Sequence, residues 1–141
     1  MKFDLHPKLA ADSLALGDFP LCRLLLMDDA QYPWFILVPR REGAREIYLL
    51  HDADQQQLLR ESAQLSRAIM QAYAGEKLNV AALGNVVPQL HVHHVVRYSR
   101  DPAWPAPVWG RHPPRPYDDA ACRARLDALR PHLPQEFCWG C

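Results

Sequence analysis

A chain of 141 residues, 49% of them hydrophobic, fits a single domain with one real core and excludes a disordered chain. Sixteen Lys and Arg balance sixteen Asp and Glu, so no global positive field draws the protein onto a nucleic-acid backbone or an anionic membrane. Any phosphate it binds has to be held locally.

At the amino terminus, Met1 to Pro7 carries an early charge pair and a proline where a secretory signal needs an unbroken apolar stretch. The longest apolar runs, Leu24 to Met27 and Phe35 to Val38, are too short to span a bilayer. The expected location is cytoplasmic, with neither membrane nor nucleic acid as a partner. Pro7 to Leu14 reads as a short helix with proline at its first position, stopped by Gly17. Leu21 to Met27 and Trp34 to Val38 are strand-like runs separated by turn-forming residues, which predicts an antiparallel hairpin.

After a charged loop, Asp52 reads as an N-cap with Gln55 three positions on. Leu58, Leu59, Ser62, Leu65, Ile69, Ala72 and Tyr73 then recur at helical spacing, with Arg60, Glu61, Gln64 and Arg67 on other faces. Gly75 is the expected stop. Lys77 to Leu83 reads as a strand, residues 84–88 as a tight connection and Gln89 to Tyr98 as another strand. From Pro102 to Pro116 six of fifteen residues are proline, which requires an extended loop. Its Trp104 and Trp109 suit a cover over a site or a grip on a second subunit. Asp118 caps a last helix with Cys122, Leu126 and Leu129 on its buried side and Pro131 at its end.

Four cysteines, Cys22, Cys122, Cys138 and Cys141, are scattered without a disulfide framework. Cys138-Trp139-Gly140-Cys141 has C-x-x-C spacing, but a zinc site needs about four ligands and no second pair exists. A redox motif normally opens a helix after a strand. These residues are expected to form a loose or packed tail.

The informative stretch is Gln89-Leu90-His91-Val92-His93-His94-Val95-Val96-Arg97. Side chains alternate between the faces of a strand, so Gln89, His91, His93 and Arg97 share one face and Leu90, Val92, His94 and Val96 the other. Three of the second set are apolar, so that face belongs to the core and His94 reads as a core histidine. Burying the polar face without partners would cost several kcal/mol per group, which points to function; a merely solvated face is the alternative. A neutral imidazole whose Nδ1 proton is pinned to a backbone carbonyl has a free Nε2 lone pair, as a nucleophile or a metal ligand. A second imidazole two residues on, if protonated, stabilises negative charge on a phosphoryl group.

Asn79 to His93, with its asparagine strand, glycine turn and Q-x-H-x-H, resembles the signature of the histidine triad family. The hairpin strand Tyr32 to Arg40, ending in proline and a basic residue ahead of a long helix, is also similar. The resemblance runs from about Leu21 to Arg97 in the family's order. It implies that His91 is the nucleophile that takes a nucleoside monophosphate from its leaving group, that His93 contacts phosphate, and that Asn79 and Asn85 line the phosphate and ribose region. One acid of the Asp28 and Asp29 pair corresponds to the ribose-holding position, with a plain hairpin turn as the alternative. Three positions depart from the pattern. Gln89 replaces the first histidine and is left with a supporting catalytic role. Trp34 stands where many members have another histidine, and stacks on a base or ribose or serves as a core or interface aromatic. Val86 stands where some members carry a serine that helps the leaving group.

The expected fold is α+β over a single domain, residues 1–141. A mainly antiparallel sheet carries a long packed helix and short terminal helices, and both chain ends build a cap. The resemblance implies a homodimer whose sheets join. It further implies hydrolysis or transfer at the α-phosphate of dinucleoside polyphosphates or nucleoside phosphoramidates through a nucleotidyl-histidine, with no cofactor and no metal. Two other readings stay open: a non-catalytic nucleotide-binding module, and a metal site joining His91 and His93 to His112 or a carboxylate.

Overall fold

In the computed structural model, which describes residues 3–141, three helices and six strands build one sheet with a layer on each face. Helix α1 (Pro7–Asp12) leads directly into β1 (Ser13–Asp18), followed by β2 (Cys22–Met27), β3 (Trp34–Pro39), α2 (Asp52–Ala72), β4 (Lys77–Ala81), β5 (Val92–Arg97), α3 (Asp119–Leu129) and β6 (Cys138–Trp139). The strand order is β4-β5-β3-β2-β1-β6, and every neighbouring pair is antiparallel. This is the expected α+β class, with β2 and β3 forming the predicted hairpin. Among the described residues, no helix is long and apolar enough to cross a membrane.

Each central strand contributes to two cores. Leu24, Leu26, Phe35, Leu37, Val92 and Val96 pack on one face with Leu58, Leu65 and Ile69 of α2. Leu25, Trp34, Ile36, Val38 and Val95 pack on the other with Leu9 of α1 and with Ala103 and Val108 of the proline-rich segment. All six residues of β3 are therefore buried, and its sequence shows no polar alternation because neither face meets water. Burying a Leu, Ile or Phe side chain contributes roughly 1.5–3 kcal/mol, so covering the second face stabilises the sheet substantially.

Several local expectations are corrected. The first helix ends at Asp12 rather than Leu14, and β1 occupies the stretch read as helix and stop. Gly17 is not a stop: a Cβ there would run into the Cys138 carbonyl, so glycine lets β6 approach β1 across a register shift. The C-terminal residues, expected as a loose or packed tail, pack as a short edge strand, and the turn after it brings Cys138 and Cys141 together as a disulfide with Cα atoms 5.8 Å apart. Helix α2 begins one residue earlier than read. His51 is its N-cap, without a side-chain cap bond, and Asp52 is its first helical residue, favourably placed against the helix dipole. At the far end Ala74 takes the left-handed conformation at φ 48°, not Gly75. Gly75 is required for space, since a Cβ there would lie 2.5 Å from Val96 Cγ1 and 2.6 Å from Met70 Sδ.

Glu61, read as outward-facing, is fully buried. Its two carboxylate oxygens accept the Leu21 and Cys22 backbone N–H groups at 2.8 Å each, and Gln57 Nε2 donates to it at 2.6 Å. The helix thus satisfies the donors at the start of β2, at a bend where the sheet itself offers no acceptor. Burial, followed by this neighbouring carboxylate, pushes the Cys22 thiol far up and leaves it unreactive. The last helix has its predicted cap, with Asp118 Oδ1 accepting from Ala121 N at 2.7 Å.

Candidate active site

The connection from β4 to β5 does not extend the strand back to Gln89 as expected. Strand β5 starts at Val92, and the bend at residues 89–91 frees backbone groups that a ladder would have used. One of these, the Gln89 carbonyl, lies 2.7 Å from His91 Nδ1. A carbonyl can only accept, so the proton sits on Nδ1 and the lone pair on Nε2. No protein group hydrogen-bonds that Nε2 among the described residues, and His91 lines a cleft of about 290 Å³.

His93 lines the same cleft, its ring centroid 5.0 Å from that of His91. Here the geometry is reversed. The indole of Trp34 donates from Nε1 to His93 Nδ1 at 3.0 Å, and an indole N–H can only donate. His93 is therefore the Nε2–H tautomer and presents a donor to the cleft. Burial, followed by the His91 and His94 rings, pushes its pKa down to about 3. The expectation that this ring could be protonated is thus corrected: at neutral pH it is an uncharged donor. Trp109 from the proline-rich segment closes the cluster edge-on, with its centroid 5.3 Å from His93 and 5.9 Å from Trp34. The segment therefore covers this chain's own sheet.

Helix α1 and the β4–β5 turn complete the cleft with Lys8, Asp12, Asn85 and Val86. Among the described residues Lys8 is the single Lys or Arg lining it, with its ammonium 2.8 Å from Asp12 Oδ2. A second cleft of about 450 Å³ adjoins the first, shares Lys8, Asp12 and Met27 with it, and is walled by Asp28, Asp29, Trp34 and His112.

The structure brings some sequence candidates together and separates others. His91, His93 and Asn85 share the first cleft; Asp28, Asp29 and Trp34 wall the second. Asp29 Oδ1 also accepts from Gln31 N and Arg115 N, and Asp28 Oδ1 from Tyr117 N, so both acids hold the returning chain. Asn79 lines neither cleft, and its Oδ1 accepts from Arg97 Nη1 at 2.8 Å. Arg97 is buried on that face in an ion pair with Asp101. The Gln89 side chain turns away from the histidines. Its Oε1 accepts from His6 N at 2.8 Å and its Nε2 donates to Asp4 O at 2.9 Å. Position 89 therefore serves His91 through its backbone carbonyl, and its side chain staples the N-terminal segment.

His94 occupies the opposite face as expected, fully buried between Val92 O and Ser62 Oγ. Among the described residues no three His, Cys, Asp or Glu side chains converge as a metal site requires, and His112 instead meets Pro102 O. Lys8 was missed by the sequence reading; its i,i+4 spacing from Asp12 is visible there, but the docking of α1 beside residues 84–87 is not.

The HIT domain profile matches residues 8–100. Among solved structures, a histidine triad protein from Bradyrhizobium japonicum is 44% identical with a TM-score of 0.92, over 95% of this chain and 100% of that one. One from Marinobacter aquaeolei VT8 is 54% identical with a TM-score of 0.86, over 94% and 99%. One from Sinorhizobium meliloti 1021 is 37% identical with a TM-score of 0.91, over 94% and 98%. No curated protein matches. With the profile spanning β1 to β5, α2 and both site histidines, and with these similarities running nearly end to end, the chain belongs to the HIT domain family.

Proposed function

We propose that the protein is a nucleotide hydrolase or transferase in which His91 Nε2 attacks the α-phosphorus of a nucleotide and carries the nucleotidyl group before water releases it. The observation that carries this reading is the His91 Nδ1 contact to the Gln89 carbonyl, with Nε2 left free in the cleft. When Nε2 bonds phosphorus, the ring becomes cationic and the Nδ1–H bond to that carbonyl strengthens. His93 Nε2–H then donates to a non-bridging phosphoryl oxygen. Asn85 borders the phosphate region, and Trp34 with Asp28 and Asp29 walls the neighbouring space for ribose and base. Splitting the displacement into two steps needs only a nucleophile and water.

The free edge strand β4 and the apolar side chains near it support a homodimer. Val80 is 50%, Leu59 71% and Ile47 41% exposed, all three line one groove, and a second copy of the chain would cover them.

The test is incubation with a dinucleoside polyphosphate radiolabelled at the α-phosphate. Acid-labile label is expected on His91 and none on His91→Ala, with turnover lower by at least roughly 10³-fold. His91→Ala keeps its melting temperature, because the ring faces the cleft. Tight mononucleotide binding with no adduct and no turnover would instead establish a non-catalytic nucleotide-binding module.

A further inference from the structure

The nucleotidyl-histidine reading leaves open which bond to phosphorus breaks. Resting on that reading, we propose that the site is built for an anionic oxygen leaving group, so that nucleoside polyphosphates are its substrates and phosphoramidates are not. Trp34 enforces this as the positioning residue that holds His93 in one tautomer.

Trp34 Nε1 has one hydrogen and no lone pair to offer, and it meets His93 Nδ1 at 3.0 Å in a buried setting. Placing a second proton on His93 means placing it on Nδ1, which would confront the indole donor with another donor and orphan both. His93 therefore stays neutral, and the Nε2–H of a neutral imidazole donates a hydrogen bond without giving up its proton. The groups facing this ring leave no alternative source of charge within the cluster. The Nδ1–H of His91 is engaged by the Gln89 carbonyl, Trp34 and Trp109 are not acids, and Arg97 further along β5 is locked to Asp101. Val86 supplies no hydroxyl, and the Gln89 amide is engaged with residues 4 and 6.

Leaving groups differ in what they ask of such a site. As the His91 Nε2 lone pair forms the bond to phosphorus, the bond to the leaving atom breaks and its electron pair departs with that atom. A polyphosphate oxygen carries the pair away as a stable anion. Water then attacks phosphorus, the bond to Nε2 breaks with its pair returning to the ring, and the released proton goes to solvent. An amine has to take up a proton as it departs, and the histidine cluster has none to give. What the cleft does provide is cation. Lys8 stands where the two clefts meet, on the turn of α1 that the Gln89 staple presses onto the sheet, and it can exchange its Asp12 partner for a departing polyphosphate.

The test compares kcat/KM for a dinucleoside tetraphosphate and for an alkylamine nucleoside phosphoramidate of the same base. The wild-type protein is expected to prefer the tetraphosphate by at least roughly 100-fold, the value of one missing general acid. In Trp34→His the imidazole at position 34 can accept a proton from Nδ1. The preference is then expected to shrink at least about tenfold, and to shrink less in Trp34→Phe, which removes the opposing donor but offers no acceptor. Lys8→Ala, on an exposed helix face, is expected to lower tetraphosphate turnover about tenfold more than phosphoramidate turnover. Equal turnover of the two substrates, or a greater loss on the phosphoramidate in Lys8→Ala, overturns the inference while the His91 adduct reading stands. If neither substrate labels His91, both fall.

Discussion

Two adjacent histidines on β5 show how one environment sets protonation on both faces of a sheet. Burial pushes His93 down to about 3 and His94 down to about 4, the latter partly offset by its bond to Val92 O. Both folded values lie below that of an unfolded histidine, so the unfolded chain takes up these protons first as the pH falls. Their contribution to stability is complete above about pH 6.5 and is lost between that value and the folded ones, at up to about 1.4 kcal/mol per pH unit for each ring. Denaturant unfolding at pH 7.5, 6 and 5 is expected to show this loss, and His94→Phe to remove about one ring's share of the slope. At this scale the sequence disclosed much. The nucleophile candidate, its neighbour and the core histidine were legible from alternation, because a period of two survives whatever packs outside. The tautomer of His93 was not legible, since it depends on Trp34, fifty-nine positions away in the chain.

Among the elements, α2 was the plainest in the sequence because one face meets the sheet and the other meets water. Even so, its fully buried Glu61 was misread, for a carboxylate on a helix looks outward until the backbone donors it serves are seen. Strand β1 and strand β6 were hidden for a related reason: β1 carries little apolar pattern and is fixed by pairing with β2, and the two-residue edge strand β6 exists through its pairing with β1. The N-terminal segment is the element whose attachment is most open to experiment. Gln89 holds it by two hydrogen bonds, to His6 N and Asp4 O. Gln89→Ala is expected to cost roughly 1–2 kcal/mol in unfolding and to expose the segment ahead of α1 to limited proteolysis, because two backbone groups lose their partners. The His91 adduct should still form, since the carbonyl that orients the ring belongs to the backbone. An abolished adduct with intact stability would mean that the amide itself acts in the chemistry.

For the whole molecule, the sheet has one edge sealed by the short β6 and the other, β4, left open beside the exposed Leu59, Val80 and Ile47. Sedimentation equilibrium is expected to give a dimer, and Leu59→Glu a monomer, because a carboxylate in the apolar contact would be buried unpaired. A monomeric wild-type protein at micromolar concentration would reject the assignment. Arg97, at the end of β5, holds Asn79 Oδ1, both Asp101 carboxylate oxygens and the Ala106 carbonyl. Four bonds from one guanidinium join β4 and β5 to the aromatic stretch that bears Trp109. The roof over the histidines is therefore tied to their floor, and a nucleotide is expected to come in from the opposite wall, where α1 faces the turn before β5.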